Sequence, residues 1–189
     1  MNRIVLFFVF LWSISMLHAA DPVKLVSGDI SVFKQEVVAN VLIDDHRTII
    51  DGKDEPADVY YGTQSLEKYE KFVADVDRGH ASFITYFNEK RKADTKLTMA
   101  EADVDAEYTL KVYVSSMNVG NAGGMIWGFH RKAGGALING TMQLVEKNTN
   151  KVVCEFEFKK VKGLLAPVFK ARAISVYRYL ADGLLEVVE

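Results

Sequence analysis

The sequence predicts an α+β fold: a two-layer sandwich whose mixed, largely antiparallel sheet carries helices packed on one face. Three observations predict it. Between Tyr108 and Phe158, three runs alternate apolar and polar side chains with the period of two that marks half-buried strands. Before them, from Thr63 to Lys92, and after them, from Pro167 to the carboxyl terminus, apolar residues recur at helical spacing. A sheet with one apolar face and helices with one apolar stripe bury both by packing in layers.

In chain order, Met1–Ala20 comes first. Arg3 precedes the apolar run Ile4–Trp12, and Ala19 and Ala20 end the segment. A basic start, an apolar core too short to span a bilayer and small terminal residues read as a secretory signal peptide, cleaved after Ala19 or Ala20. The competing reading, an amino-terminal membrane anchor, needs a longer apolar core. No cysteine follows the run, which argues against a lipid-modified amino terminus. Removing these 20 of 189 residues leaves 169, enough for a single α+β domain over 21–189 with its own core. Arg3 is the only charge removed, so the net charge goes from −2 to −3. A mildly acidic chain without a basic stripe is not expected to bind nucleic acid. Cys154 is the only cysteine, so no intrachain disulfide can form. Strand alternation sets it with Val152, Phe156 and Phe158, as a small buried hydrophobe rather than an activated thiol.

Strands are expected within Lys24–Ile50. Val37–Ile43 is apolar at almost every position, as in a strand buried on both sides. Asp44-Asp45-His46 follows, then Asp51–Pro56 with the composition of a turn. Two carboxylates and an imidazole in a row suggest acid–base or metal chemistry. Adjacent residues seldom converge on one ion, however, and neither a zinc-protease nor a calcium-loop spacing is present. A solvated loop is the plainer reading, and no metal or other cofactor is expected.

In Thr63–Lys92, Leu66, Tyr69, Phe72, Val73 and Val76 form one stripe, with Thr63 or Ser65 placed to cap it. Arg78-Gly79 is expected to break or kink the helix, with His80 an ordinary, partly exposed histidine beside the break. A short strand is expected over Thr95–Met99. The three alternating strands follow at Tyr108–Val114, Ala136–Val145 and Val152–Phe158, the last two joined by the polar turn Lys147–Lys151, whose asparagines tolerate positive φ. Pro167 suits the first turn of the final helix. Its stripe is Phe169, Ala173, Val176, Leu180, Leu184 and Val187, with Lys170, Ser175, Arg178, Asp182 and Glu186 facing out.

Gly120–Gly135 remains, holding six of the 13 glycines. It is neither a dinucleotide fingerprint nor a Walker A, because no helix follows and Lys132 precedes neither Ser nor Thr. It carries Trp127, Phe129, His130, Arg131 and Lys132, which makes it the candidate binding segment. The competing reading folds Met125, Ile126, Trp127 and Phe129 back onto the sheet, since such a cluster is seldom left in water.

Ala106-Glu107-Tyr108-Thr109-Leu110-Lys111-Val112 leads into this glycine-rich stretch, Gly134-Gly135-Ala136 opens the next strand, Glu146–Val152 makes the hairpin, and an amphipathic helix closes the chain. From Thr63 to the end, this order resembles small bacterial envelope domains similar to the amino-terminal domain of TolB and the core of the curli-secretion lipoprotein CsgG. Those families show Ala-Asp-Tyr where this chain has Ala-Glu-Tyr. They show Asp-x-x-Thr-Gly in the hairpin, where Glu146 stands here for the Asp and Asn150 for the Gly. The lipidated cysteine usual in CsgG-like proteins is missing. The resemblance implies a noncatalytic envelope domain that binds other proteins, with no catalytic residue to carry over.

Three functions are therefore in play. The first is a secreted or periplasmic protein-binding or envelope-assembly module, with envelope proteins as partners, self-association open and no stable membrane anchor after cleavage. The second is a carrier of an apolar ligand. The third is a hydrolase built on Asp44, Asp45 or His46, for which no nucleophile elbow or zinc motif is present. The exported protein should begin at Ala20 or Asp21. Intact-mass measurement checks this, and retention of Met1–Leu17 in a membrane fraction would refute it.

Overall fold

A computed structural model describes residues 21–45, 47–51, 53–120 and 134–189. The fold is α+β: an open, mixed sheet with helices on one face. The strands are β1 (Val23–Gly28), β2 (Val38–Asp44), β3 (Ile49–Ile50), β4 (Thr98–Ala100), β5 (Tyr108–Asn118), β6 (Leu137–Glu146) and β7 (Val152–Lys162). They lie in the order β1-β7-β6-β5-β2-β4, and β3 extends the β5 pairing. β5, β6 and β7 form an antiparallel meander, and β1 joins β7 antiparallel. β2 runs parallel to both β5 and β4. The helices are α1 (Ala57–Gly62), α2 (Leu66–Lys90) and α3 (Phe169–Val188).

The alternation does what period two requires. Leu110, Val112 and Val114 of β5, Met142 and Leu144 of β6, and Cys154, Phe156 and Phe158 of β7 are all buried on the helix-covered face. Asn150 takes φ 54° in the β6–β7 turn. Ser65 caps α2, its Oγ accepting from the Lys68 N–H at 3.2 Å.

β5 and β7 continue well past the ends that strict alternation gave them, and the reason is a set of aligned bulges. Register shifts fall between Val114 and Ser116 and between Ile138 and Gly140. Opposite them, Phe158 and Val161 pair with Gly140 and Ile138, so β7 carries two residues in between. Each bulge switches phase, and Met117 and Val161 become the inward positions beyond it. Asn139 fastens all three strands: its amide donates to Ser116 Oγ (2.8 Å), its Oδ1 accepts from the Lys160 N–H (2.8 Å), and its carbonyl accepts from Ser115 Oγ (3.1 Å).

Five expectations are corrected, two of them at element ends, where Leu66 (69% exposed) and Val152 (42%) lie outside the buried faces expected for them. α2 runs without a break through Gly79, because the glycine lies under a side chain of α3 and a Cβ there would run into the Tyr177 ring. β2 is buried on both sides only over Ala39–Val41. On the face away from the helices, Asn40 is covered by the connection after β4, donating to the Val104 carbonyl, whereas Leu42, beside Lys111 on that same face, is 45% exposed. Ser175 of α3 points inward, its hydroxyl donating to the Arg172 carbonyl and accepting from the Leu164 N–H at 2.9 Å each.

Contacts along the two long helices run in step: Phe72 with Phe169, Ser82 with Arg178, Tyr86 with Asp182, Lys92 with Glu189. α2 and α3 are thus parallel, and their amino termini share one end of the molecule.

Burial pushes the Cys154 thiol up to about 12, which leaves almost no thiolate near neutrality. A thiol reagent should therefore label the native protein slowly and the denatured protein fast. Rapid native labelling would mean a strand register off by one residue.

Candidate functional site

β2 ends by turning Asp45 under the helices. The side chain is buried, and its Oδ2 lies 2.9 Å from His80 Nε2 of α2 and 3.3 Å from the Tyr177 hydroxyl of α3, both placed to donate to it. Asp77 Oδ1 stands 3.8 Å from His80 Nδ1. The imidazole meets the Tyr177 ring edge-on, with centroids 5.0 Å apart. Thr48, next to the Asp45 turn, donates from its N–H to the Asp45 carbonyl and from its hydroxyl to the Val114 carbonyl, tying the turn to β5. Burial, and then the Asp45 charge, push the Tyr177 phenol well above the ordinary tyrosine value, so it remains a neutral donor.

Asp44, exposed at the end of β2, and buried Asp45 do not share a site. His46 lies outside the described residues, as do Trp127, Phe129, His130, Arg131 and Lys132. It is His80, 35 residues away in sequence, that meets Asp45. A carboxylate orienting an imidazole is two thirds of a nucleophilic triad. The cavity beside it, about 90 Å³, is lined among others by Asp58, Tyr69, Phe72 and Val73, and among the described residues its lining includes no serine, threonine or cysteine. Ligand pockets run to about 300–1,000 Å³. Two larger hollows among several, about 600 and 780 Å³, are open grooves bordered by charged residues such as Lys96 and Lys162. Among the described residues, no group of three or more His, Cys, Asp or Glu could hold a metal ion.

The second feature is the end shared by the amino termini of α2 and α3. Arg172, buried on the stripe of α3, donates from Nε to the Val119 carbonyl (2.8 Å) and from a terminal nitrogen to the Ala166 carbonyl (2.6 Å). Burial lowers its pKa from the usual guanidinium value. One cation thus holds the end of β5 and the β7–α3 connection. Beside it, Tyr61, Phe72 and Phe169 stack from α1 through α2 to α3, at 4.6 and 5.6 Å between centroids. The β5–β6 ladder stays paired out to Asn118 and Leu137, and a Cβ on Gly120 (φ 73°) would lie 2.5 Å from the Gly134 carbonyl oxygen. The two stems of the glycine-rich segment therefore touch backbone to backbone.

No family model matches the chain, and no curated protein matches it. Solved structures that it resembles include the PelC dodecamer from Paraburkholderia phytofirmans, at 12% identity and a TM-score of 0.44, covering 84% of this chain and 96% of that one. A point variant of the same dodecamer, in a second crystal form, gives 12% identity and a TM-score of 0.42, covering 87% and 98%.

Arg172 and Tyr177 went unnoticed in the sequence, although the pattern held a signal. Arg172 falls three residues after Phe169 and four before Val176, on the buried stripe itself, where a cation needs partners.

Asp45→Ala leaves the Tyr177 hydroxyl and His80 without their acceptor and should cost about 1–3 kcal/mol; Tyr177→Phe should cost about 0.5–1.5 kcal/mol. Urea titration measures both. The raised tyrosine also sets a sign. Above about pH 10 the unfolded chain loses this proton while the folded chain keeps it, so stability falls as pH rises. The fall should be shallower in Tyr177→Phe.

Proposed function

We propose that the chain is a noncatalytic module of the bacterial cell envelope, exported to the periplasm or beyond, that binds other envelope proteins through Gly120–Gly135. The observation that carries this reading is the closed stem. A well-paired ladder, the Gly120–Gly134 contact and Arg172 fix both ends of the segment on a rigid scaffold. Recognition segments are commonly presented in that way. The glycines cost backbone entropy that a purely structural hairpin would avoid. Tryptophan and arginine, at Trp127 and Arg131, are the residue types that most often anchor interfaces.

The catalytic alternative is weaker on the same geometry. One Asp45 oxygen holds both His80 and Tyr177, and the described lining of the cavity beside them includes no serine, threonine or cysteine. The carrier is weaker too, because the sheet and helices enclose only about 90 Å³ at that cavity.

Replacing Trp127 and Arg131 with alanine should weaken binding to partners captured from envelope extract by a few kcal/mol, about the size of a hot-spot loss. The urea midpoint of Trp127→Ala should barely move. A drop worth about 3–5 kcal/mol would instead assign the tryptophan to the core and remove the reading's main support.

A further inference from the structure

The connection Gly163–Val168 between β7 and α3 has the sequence Gly-Leu-Leu-Ala-Pro-Val, without one polar side chain. Its large residues point outward: Leu164 is 59% exposed, Leu165 46% and Val168 57%. Its backbone faces inward. The Gly163 N–H donates to the Ala136 carbonyl at 2.8 Å, the Leu164 N–H to Ser175 Oγ, and the Ala166 carbonyl accepts from Arg172. Pro167 has no N–H to satisfy. A connection that turns its polar backbone onto buried side chains and its leucines into solvent suits an apolar medium better than water.

The surrounding charge selects the medium. From Lys159 to Ala181 there is no Asp or Glu, but there are four lysines and two arginines. Lys159 pairs with Glu157, Arg172 is buried, and the groove beside Lys162 also holds Asp21, Glu157, Asp182 and Glu186, so the basic charge next to the loop itself is that of Lys162 and Lys170. Lys162 and Lys170 bracket the apolar run, and both are exposed. The amino terminus of α3 carries no side-chain cap and no acid in its first turn, unlike that of α2, where Ser65 caps and Glu67 follows. Its positive end is left uncompensated. On the neighbouring helices, α1 carries Asp58 and α2 carries Glu67, Glu70, Asp75, Asp77 and Glu89, of which Asp58 and Glu67 lie in first turns.

We infer that Gly163–Val168 is a membrane-docking loop that dips Leu164, Leu165 and Val168 into an anionic phospholipid surface while Lys162 and Lys170 meet the headgroups. Three side chains fall well short of the roughly 1,200 Å² that a stable protein pair buries, whereas reversible interfacial binding needs only a small apolar insertion joined to basic charge. Among the described residues no helix is long and apolar enough to cross a membrane, and the contact inferred is a peripheral one. It goes beyond the partner binding proposed above and does not depend on it.

The test is flotation of the mature chain with vesicles of phosphatidylglycerol and phosphatidylcholine, against vesicles of phosphatidylcholine alone. Binding should be about tenfold or more tighter on the anionic vesicles and should fall with added salt. Leu164→Ser with Leu165→Ser should weaken it roughly tenfold, as should Lys162→Glu with Lys170→Glu, with urea midpoints close to the parent's. Equal binding to both vesicles, no binding, or wild-type binding by either double variant overturns the inference. So does a dimer, seen by sedimentation velocity without lipid, that the leucine variant abolishes, because the loop would then be a self-contact. Partner binding is measured without lipid, so either result leaves the other standing.

Discussion

Tyr177 is the side chain on which the packing of the two layers turns. Its ring occupies the space that a side chain at residue 79 would fill, and its hydroxyl reaches through the helix layer to the Asp45 carboxylate at the end of β2. A glycine inside a 25-residue helix costs roughly 1 kcal/mol of helix propensity against alanine. Here the aromatic ring packed on the bare backbone offsets that cost. The same contact sets the separation of α2 and α3 and their parallel course. It also brings His80, one residue on, edge-to-face with the ring and within reach of Asp45. The polar group that would be most expensive to bury, the carboxylate, is therefore the one with partners on both helices.

Parallel helices have a consequence for the surface. Both amino termini arrive at the end of the sheet where β5 stops, β6 begins and β7 gives way to its connection to α3. That end needs an internal fastener, and Arg172 supplies it by holding the Val119 and Ala166 carbonyls together. With the backbone satisfied from within, the side chains there are free to be apolar, which is the condition seen at Leu164, Leu165 and Val168. Docking residues are exposed here because the structural polar groups have been moved inside.

The sequence makes the layers legible where one rule acts alone. Cys154, Phe156 and Phe158 alternate without interruption, and their burial follows from the pleat. It fails where a second rule intervenes. Met117 and Val161 lie beyond bulges, so counting by twos puts them on the wrong face, and only the three-strand clamp at Asn139 explains the shift. Gly79 reads as a helix breaker because propensity is local, while the ring that fills its space arrives from nearly a hundred residues away. The Asp45–His80 pair is hidden for the same reason: adjacency draws the eye to Asp44 and His46, but the partner comes from another element.

The sheet edges limit how such a protein can meet others. At one edge, Asn88 of α2 acts as a substitute strand: its amide donates to the Met99 carbonyl at 2.8 Å and its oxygen accepts from the Met99 N–H at 2.9 Å. Arg91 covers the Lys96 and Leu97 carbonyls just before β4. At the other edge, β1 loses register with β7 between Leu25 and Ser27, leaving Val26 as an extra residue that bends the strand out of line. With one edge capped by side chains and the other interrupted by a bulge, both are poor templates for an added strand. Strand addition at either edge is therefore disfavoured, and the loops at the Arg172 end are ones whose backbone is held in place from within.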